Sequence, residues 1–267
     1  MNASFSRFAL LILSFAFLGQ TAANEVIVES YDTGNNQKDL NLYLRRPTSL
    51  AAGEPVKGVL AICKYGERNI EMDLSNGSRH FGYLVQFANE RGLAVVAFGQ
   101  PAKKGWDKNV SSADLSSRDA RKQDAALDRM AREWSRIISR FATKHDLPDR
   151  GWLLYGICGG AQYAHRIALR QPQHFRAVHV HWGGSYDVPT HEGSSILWLV
   201  TSWADEPAYV AAQRFFRGCV KENYRVILKG HRRGKPAETG LDPGNNPQAE
   251  LSRRFFDFAL NLSLIHI

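Results

Sequence analysis

A series of short, nearly continuous apolar runs constrains this chain most: residues 58–63, 93–98, 152–155, 177–181 and 196–200. A strand with one wet face alternates apolar and polar residues. A run that is apolar at almost every position has both faces covered, as in a parallel sheet flanked by helices. Helical patterns lie between the runs, most clearly where Leu127, Met130, Trp134, Ile137, Ile138 and Phe141 form one apolar stripe. Strands alternating with helices predict an α/β fold with a doubly wound, mostly parallel sheet. In such sheets ligands bind beyond the carboxyl ends of the strands. Two other segments, 25–31 and 40–44, alternate at period two around a Gly/Asn-rich turn at 33–36, which predicts an N-terminal antiparallel hairpin.

Residues 1–23 read as an address. A short positive region ends at Arg7, an apolar run covers residues 8–18, and the small residues Thr21, Ala22 and Ala23 follow. That run is too short to cross a hydrocarbon core of roughly 30 Å, and its size and order are those of a secretory signal with cleavage after Ala23. No second stretch is apolar for 18 residues, so the expectation is export to a periplasm or beyond, without stable membrane insertion after cleavage. Residues 24–262 read as one domain, and 263–267 as a tail given no function. The 183–195 segment is too short for a large lid, so any cleft should be open.

Lys plus Arg number 34 against 26 for Asp plus Glu, a net charge of +8, but the basic residues are scattered rather than gathered into an arm. Nucleic acid is therefore not the expected partner. The three cysteines, Cys63, Cys158 and Cys219, make no disulfide framework, and no CxxC or Cys/His metal spacing is present. No metal or cofactor is expected.

The site is expected after the strand at 152–155, where Gly156-Ile157-Cys158-Gly159-Gly160 leads into a helix whose face carries Ala161, Ala164, Ile167 and Ala168. This is Gly-x-nucleophile-x-Gly in a strand–turn–helix setting, with Gly156 and Gly160 allowing the sharp turn that lifts the Cys158 side chain above the sheet. A helix N-terminus favours thiolate over thiol, as a nucleophile requires. A nucleophile needs a base, and the base an orienting acid. Asp205 follows the run 196–200, and His231 ends the segment that begins at Tyr224. The chain order Cys, Asp, His suits this kind of hydrolase, with Glu206 as the alternative acid. His179 and His181 point to one side of a strand but lack a third metal ligand, so packing or a structural hydrogen bond is expected. His80, His145, His165, His174, His191 and His266 read as surface residues.

Gly156 to Gly160, the following helix, Asp205 and His231 together resemble the α/β-hydrolase superfamily over nearly the whole mature chain. The stretches 159–170 and 183–186 resemble exported bacterial esterase-like members, whose elbow normally carries serine. Cysteine there resembles the dienelactone hydrolases, which use a Cys-His-Asp triad. The resemblance implies hydrolysis of an ester, lactone or thioester through an acyl-enzyme. Cys158 would attack, His231 would move the proton, and Asp205 would hold the imidazole. The oxyanion would be bound by the Gly159 N–H and a second donor near Lys64 or Tyr65. Lys64-Tyr65-Gly66 departs from the His-Gly sequence usual at that loop.

Lys64, Arg68, Lys103, Lys104, Arg232, Arg233 and Lys235 fall in loops expected on the catalytic face, where they would attract an anionic small-molecule ester or simply solvate the surface. Trp106, Trp182, Trp203 and Tyr65 would line a pocket or pack at strand ends. Cys63 is expected either in the core or close enough to Cys158 to react with it. A non-catalytic binding protein that has lost its serine remains the alternative function.

Overall fold

The computed structural model describes residues 25–31, 40–51, 53–64, 70–75, 81–99, 120–189, 195–232 and 247–262. The signal-like segment, the tail, Tyr65, Arg68, His80, Lys103, Lys104, Trp106, His191, Arg233, Lys235 and His266 lie outside the described residues.

The apolar runs form the middle of the sheet. In chain order the strands are β1 (Val26–Tyr31), β2 (Leu40–Arg45), β3 (Gly58–Lys64), β4 (Leu93–Gly99), β5 (Trp152–Ile157), β6 (Phe175–His181), β7 (Leu197–Trp203) and β8 (Arg225–His231). They make one eight-stranded sheet ordered β1-β2-β4-β3-β5-β6-β7-β8. β1 and β2 form the expected antiparallel hairpin, β2 runs antiparallel to β4, and the remaining pairs are parallel.

Burial divides the runs between two cores, as a sheet covered on both faces requires. On one face Val59, Ala61, Val96, Leu154, Val178 and Val200 meet α3 (Ala120–Lys144), α4 (Gly159–Arg170) and α5 (Pro207–Lys221). The stripe from Leu127 to Phe141 is buried there. On the other face Leu60, Ile62, Val95, Leu153, Tyr155 and Leu199 meet α1 (Ile70–Ser75), α2 (Gly82–Glu90) and α6 (Pro247–Leu262). β3 is paired to β4 on one side and β5 on the other, so the winding reverses between β3 and β5. In sheets of this kind the ligand crevice is expected where the connections diverge, beyond the carboxyl ends of those two strands.

Two expectations about polar residues need correction. β7 runs to Trp203, three residues past the apolar run, and carries Thr201 and Ser202 buried. Thr201 is tolerated inside because its hydroxyl meets His179 and His181. His165 and His174, expected on the surface, are buried. Each ring has both nitrogens engaged. His165 Nδ1 donates to the Ala161 carbonyl at 3.0 Å and its Nε2 accepts the Asp187 N–H at 2.9 Å. His174 Nδ1 donates to the Asp149 carbonyl at 2.8 Å, and Nε2 lies 2.6 Å from Ser135 Oγ. His145 is also mostly covered, 2.9 Å from Glu29.

Candidate active site

Cys158 occupies the step between β5 and α4 with φ 55° and ψ −123°. The left-handed region costs a residue with a Cβ on the order of 1–3 kcal/mol, so surrounding bonds must hold it there. The Cys158 N–H donates to the His181 carbonyl at 2.9 Å, and its own carbonyl accepts from Ala161 N–H at 3.0 Å. The result is an exposed thiol at the helix N-terminus. Gly159 is the first residue of α4, so its N–H has no intrahelical acceptor.

The flanking glycines are required by contact. A Cβ on Gly156 would lie 2.6 Å from Ala164 Cβ, and one on Gly160 would lie 2.1 Å from the Cys63 carbonyl oxygen. The helix therefore starts pressed against the end of β3, at the winding switch. Cys63 is buried there, where removal from water pushes its thiol pKa up. Cys219 lies on the buried face of α5, and its thiol is pushed up to about 12 by the same cause. All three thiols are free.

At the second expected oxyanion position, the Lys64 ammonium turns to the buried Asp73 carboxylate of α1 at 2.5 Å. This pair ties the end of β3 to α1. Arg232 is exposed just after β8.

Registers place the other site residues on neighbouring strand ends. Ile157 pairs with His181, His181 with Thr201, and Trp203 with His231. Neighbouring strands lie about 4.8 Å apart, so the end of β8 stands three strand spacings from β5. His231 is half-buried, its ring 6.3 Å from that of Trp203, which in turn packs edge-on to His181 at 5.4 Å. Burial lowers the His231 pKa and the Lys229 charge lowers it further, opposed by the Gln248 side chain. Asp205 is exposed in the turn after β7, and among the described residues no hydrogen bond or ion pair joins it to His231. Glu206 instead accepts the Trp182 indole N–H at 2.6 Å. Trp182 has φ 55° and follows His181, whose carbonyl holds Cys158, so a second strained residue borders Cys158.

Behind these strand ends lies a polar network that composition could not reveal. His179, His181 and Thr201 are buried with Gln248 and Ser252 of α6. Thr201 Oγ1 is 2.9 Å from His179 Nε2, 2.8 Å from His181 Nδ1 and 3.0 Å from Gln248 Nε2. Burial lowers both imidazole pKa values, that of His181 to about 3, so both rings are neutral at pH 7. Unfolded, these rings would titrate near the ordinary 6.5. The folded form thus excludes protons that the unfolded chain takes up below that pH, and stability falls as the pH drops from 6.5 toward 3. Thermal unfolding midpoints measured from about pH 7 to pH 4 are expected to decline steadily, and a flat profile would contradict neutral buried rings.

A depression of about 650 Å³ between β1 and α3, lined in part by Glu29, Tyr31, Arg140 and Lys144, lies at the β1 edge, four strands from β5. It brings no group to Cys158.

No protein-family model matches the sequence, and no curated protein does. Among solved structures the chain is similar to a thermostable esterase, with TM-score 0.62 and 12% identity over 90% of this chain and 64% of that one. It is similar also to a ferulic acid esterase, with TM-score 0.58 and 11% identity over 89% and 98%. A third is a poly(3-hydroxybutyrate) depolymerase from Bordetella parapertussis, with TM-score 0.53 and 14% identity over 79% and 87%. The chain thus spans somewhat less than two thirds of the first of these proteins and nearly all of the second. At these identities the likeness is one of architecture, and together with the sheet order and the elbow it makes the fold that of the α/β hydrolases.

Proposed function

We propose that this protein hydrolyses carboxylic esters, lactones or thioesters through a thioester on Cys158. The observation that carries this reading is the conformation of Cys158: exposed, at φ 55°, on a helix N-terminus whose flanking Gly156 and Gly160 leave no room for a Cβ. Strain of this kind persists where the surroundings enforce it, and it clusters at functional sites. The esterases and the depolymerase among the similar structures favour ester cleavage over other chemistry on this fold.

The steps follow from the groups at hand. The Cys158 thiol gives its proton to His231, and the sulfur attacks the substrate carbonyl carbon. The oxyanion is stabilised by the Gly159 N–H, with a second donor from the chain after β3, near Lys64 or Tyr65. Collapse breaks the carbon–oxygen bond, and the leaving alkoxide takes the proton from the imidazolium. Water then attacks the thioester while His231 accepts its proton, restoring the thiol and releasing the acid. Attack by sulfur favours good leaving groups, so activated or strained esters are the substrate class, in the manner of the dienelactone hydrolases. Scattered basic loops favour an anionic substrate, and the 1–23 segment supports export before activity.

The test uses the difference in burial among the thiols. In the folded, reduced protein iodoacetamide is expected to alkylate Cys158 alone, with hydrolysis of p-nitrophenyl acetate lost in step, whereas all three cysteines react after unfolding. Hydrolysis that survives complete alkylation of Cys158 would overturn the proposal.

A further inference from the structure

The chain leaves β6 through Trp182, whose φ of 55° is a conformation that a bulky side chain adopts only under restraint. Restraints act on both sides of it. The Trp182 N–H donates to the Thr201 carbonyl at 2.8 Å, and the Gly183 N–H donates to Tyr186 Oη at 3.2 Å. Tyr186 stacks on Phe215 of α5 with centroids 4.9 Å apart, and Asp187 is clamped to α4 by Arg166 Nε at 3.0 Å and Arg170 Nη1 at 2.8 Å. At the far end of the side chain, the indole N–H donates to Glu206 Oε2 at 2.6 Å, a charge-assisted bond. Glu206 stands at the N-cap position of α5, yet its side chain makes no capping bond. The Trp182 side chain is thereby anchored at both ends, reaching from the end of β6 to the turn after β7. It is half-buried, and among the described residues no aromatic ring packs on it.

What the indole can meet follows from the order of the sheet. β3 lies on one side of β5, and β6, β7 and β8 lie on the other. In the proposed reaction the oxyanion is held by the Gly159 N–H and from the β3 side, while His231 at the end of β8 returns the proton to the leaving oxygen. The leaving group therefore departs over the ends of β6 and β7, where the Trp182 indole stands. Trp182 N is bonded to the same carbonyl carbon whose oxygen accepts the Cys158 N–H at 2.9 Å, so the platform begins beside the reacting centre. We propose that Trp182 determines leaving-group specificity, its indole being the surface on which an aryl ring stacks, with Glu206 as the residue that positions it. The substrates are then esters of phenols. This rests on the reading of Cys158 as nucleophile and His231 as base. A phenol meets both demands of the site: its ring offers a π-face to the indole, and its oxygen leaves more readily than an alkoxide when sulfur attacks.

The experiment measures kcat/KM for phenyl acetate and for hexafluoroisopropyl acetate, an alkyl ester whose alcohol is about as acidic as phenol, so that their ratio reports on the ring rather than on leaving ability. Wild type is compared with Trp182→Leu, Trp182→Phe and Glu206→Met, and phenol is titrated into each while the indole N–H signals are followed by NMR. The wild type is expected to favour phenyl acetate. Trp182→Leu should lower that preference by about 3- to 10-fold, the range of a single aromatic pair, through KM more than kcat. Trp182→Phe keeps a ring and should lose less of it. Glu206→Met unties the indole and should fall between wild type and Trp182→Leu. In the wild type, phenol should shift the indole signal that Trp182→Phe removes. If Trp182→Leu does not fold, Trp182→Phe and Glu206→Met decide on the same ratio. An unchanged ratio in a folded Trp182→Leu, or an equal loss on both esters, overturns the proposal, since a purely structural tryptophan would slow both alike. An equal loss on both esters in Glu206→Met, confined to kcat, overturns the role given to Glu206 and makes it the acid behind His231. Absence of any acetylated wild-type protein would instead sink the hydrolase reading, with the response of the Trp182 signal to phenol still deciding whether the ring platform exists.

Discussion

Cys158→Ala is expected to fold normally and to hydrolyse p-nitrophenyl acetate on the order of 10⁴-fold more slowly than the wild type, or worse. The side chain is exposed, so its removal opens no cavity, and alanine at φ 55° carries the same backbone strain as cysteine. Stability should therefore hardly change. Cys158→Gly goes further: glycine accepts the left-handed conformation, and unfolding should become harder by about 1 kcal/mol while activity stays lost. Lost rate with unchanged or raised stability is what a strained functional residue gives. Steady-state rates and denaturant midpoints on the same preparations check both halves. A Cys158→Ala variant with more than about one tenth of wild-type rate would contradict the account.

Gly160→Ala is expected to be the most damaging alanine substitution among the described glycines. The new Cβ would lie 2.1 Å from the Cys63 carbonyl oxygen, 2.7 Å from its carbon and 3.1 Å from the Lys64 carbonyl carbon. These are backbone atoms of β3, hydrogen-bonded within the sheet between β4 and β5, so no rotamer change can relieve the contact. Either α4 lifts away from β3 or the strand end deforms. Overpacking of this kind costs about 3 kcal/mol or more where nothing can yield. Lifting α4 also displaces Cys158 and the Gly159 N–H, so the surviving folded fraction should be slow as well. Gly184→Ala is the matched comparison. Its Cβ would meet only the Gln162 side-chain nitrogen at 3.2 Å, and a flexible side chain can move. Equal midpoints for the two variants in urea would contradict the packing described at the elbow.

What the sequence made legible follows from which interactions are local. The middle strands were readable because residues such as Val59, Leu60, Ala61 and Ile62 are apolar at consecutive positions, and only a doubly covered strand tolerates that. The elbow was readable because Gly156 and Gly160 are fixed by contacts within one turn of Cys158 and with the adjacent strand. The end of β7 was not readable. Thr201 looks like a loop residue until His179, His181 and a glutamine many residues away supply partners, and Ser202 is buried beside it. His165 and His174 misled for the same reason, since a histidine reads as polar wherever its bonds are invisible. Gln248 carried no signal at all: its bonds to His179 and Thr201 arise from α6 crossing the sheet, a long-range contact with no local pattern. Asp205 shows the converse, because chain order pointed to it while the fold leaves it exposed.

The most direct test of the central claim is the intact mass of the reduced protein, quenched in acid within seconds of mixing with p-nitrophenyl acetate, for wild type beside Cys158→Ala. The account predicts a burst of nitrophenol and a single acetyl group, mapped to Cys158, on the wild type alone. Turnover with no acetylated wild-type protein, or an equal acetyl adduct on Cys158→Ala, would contradict a thioester on Cys158 as the path of the reaction.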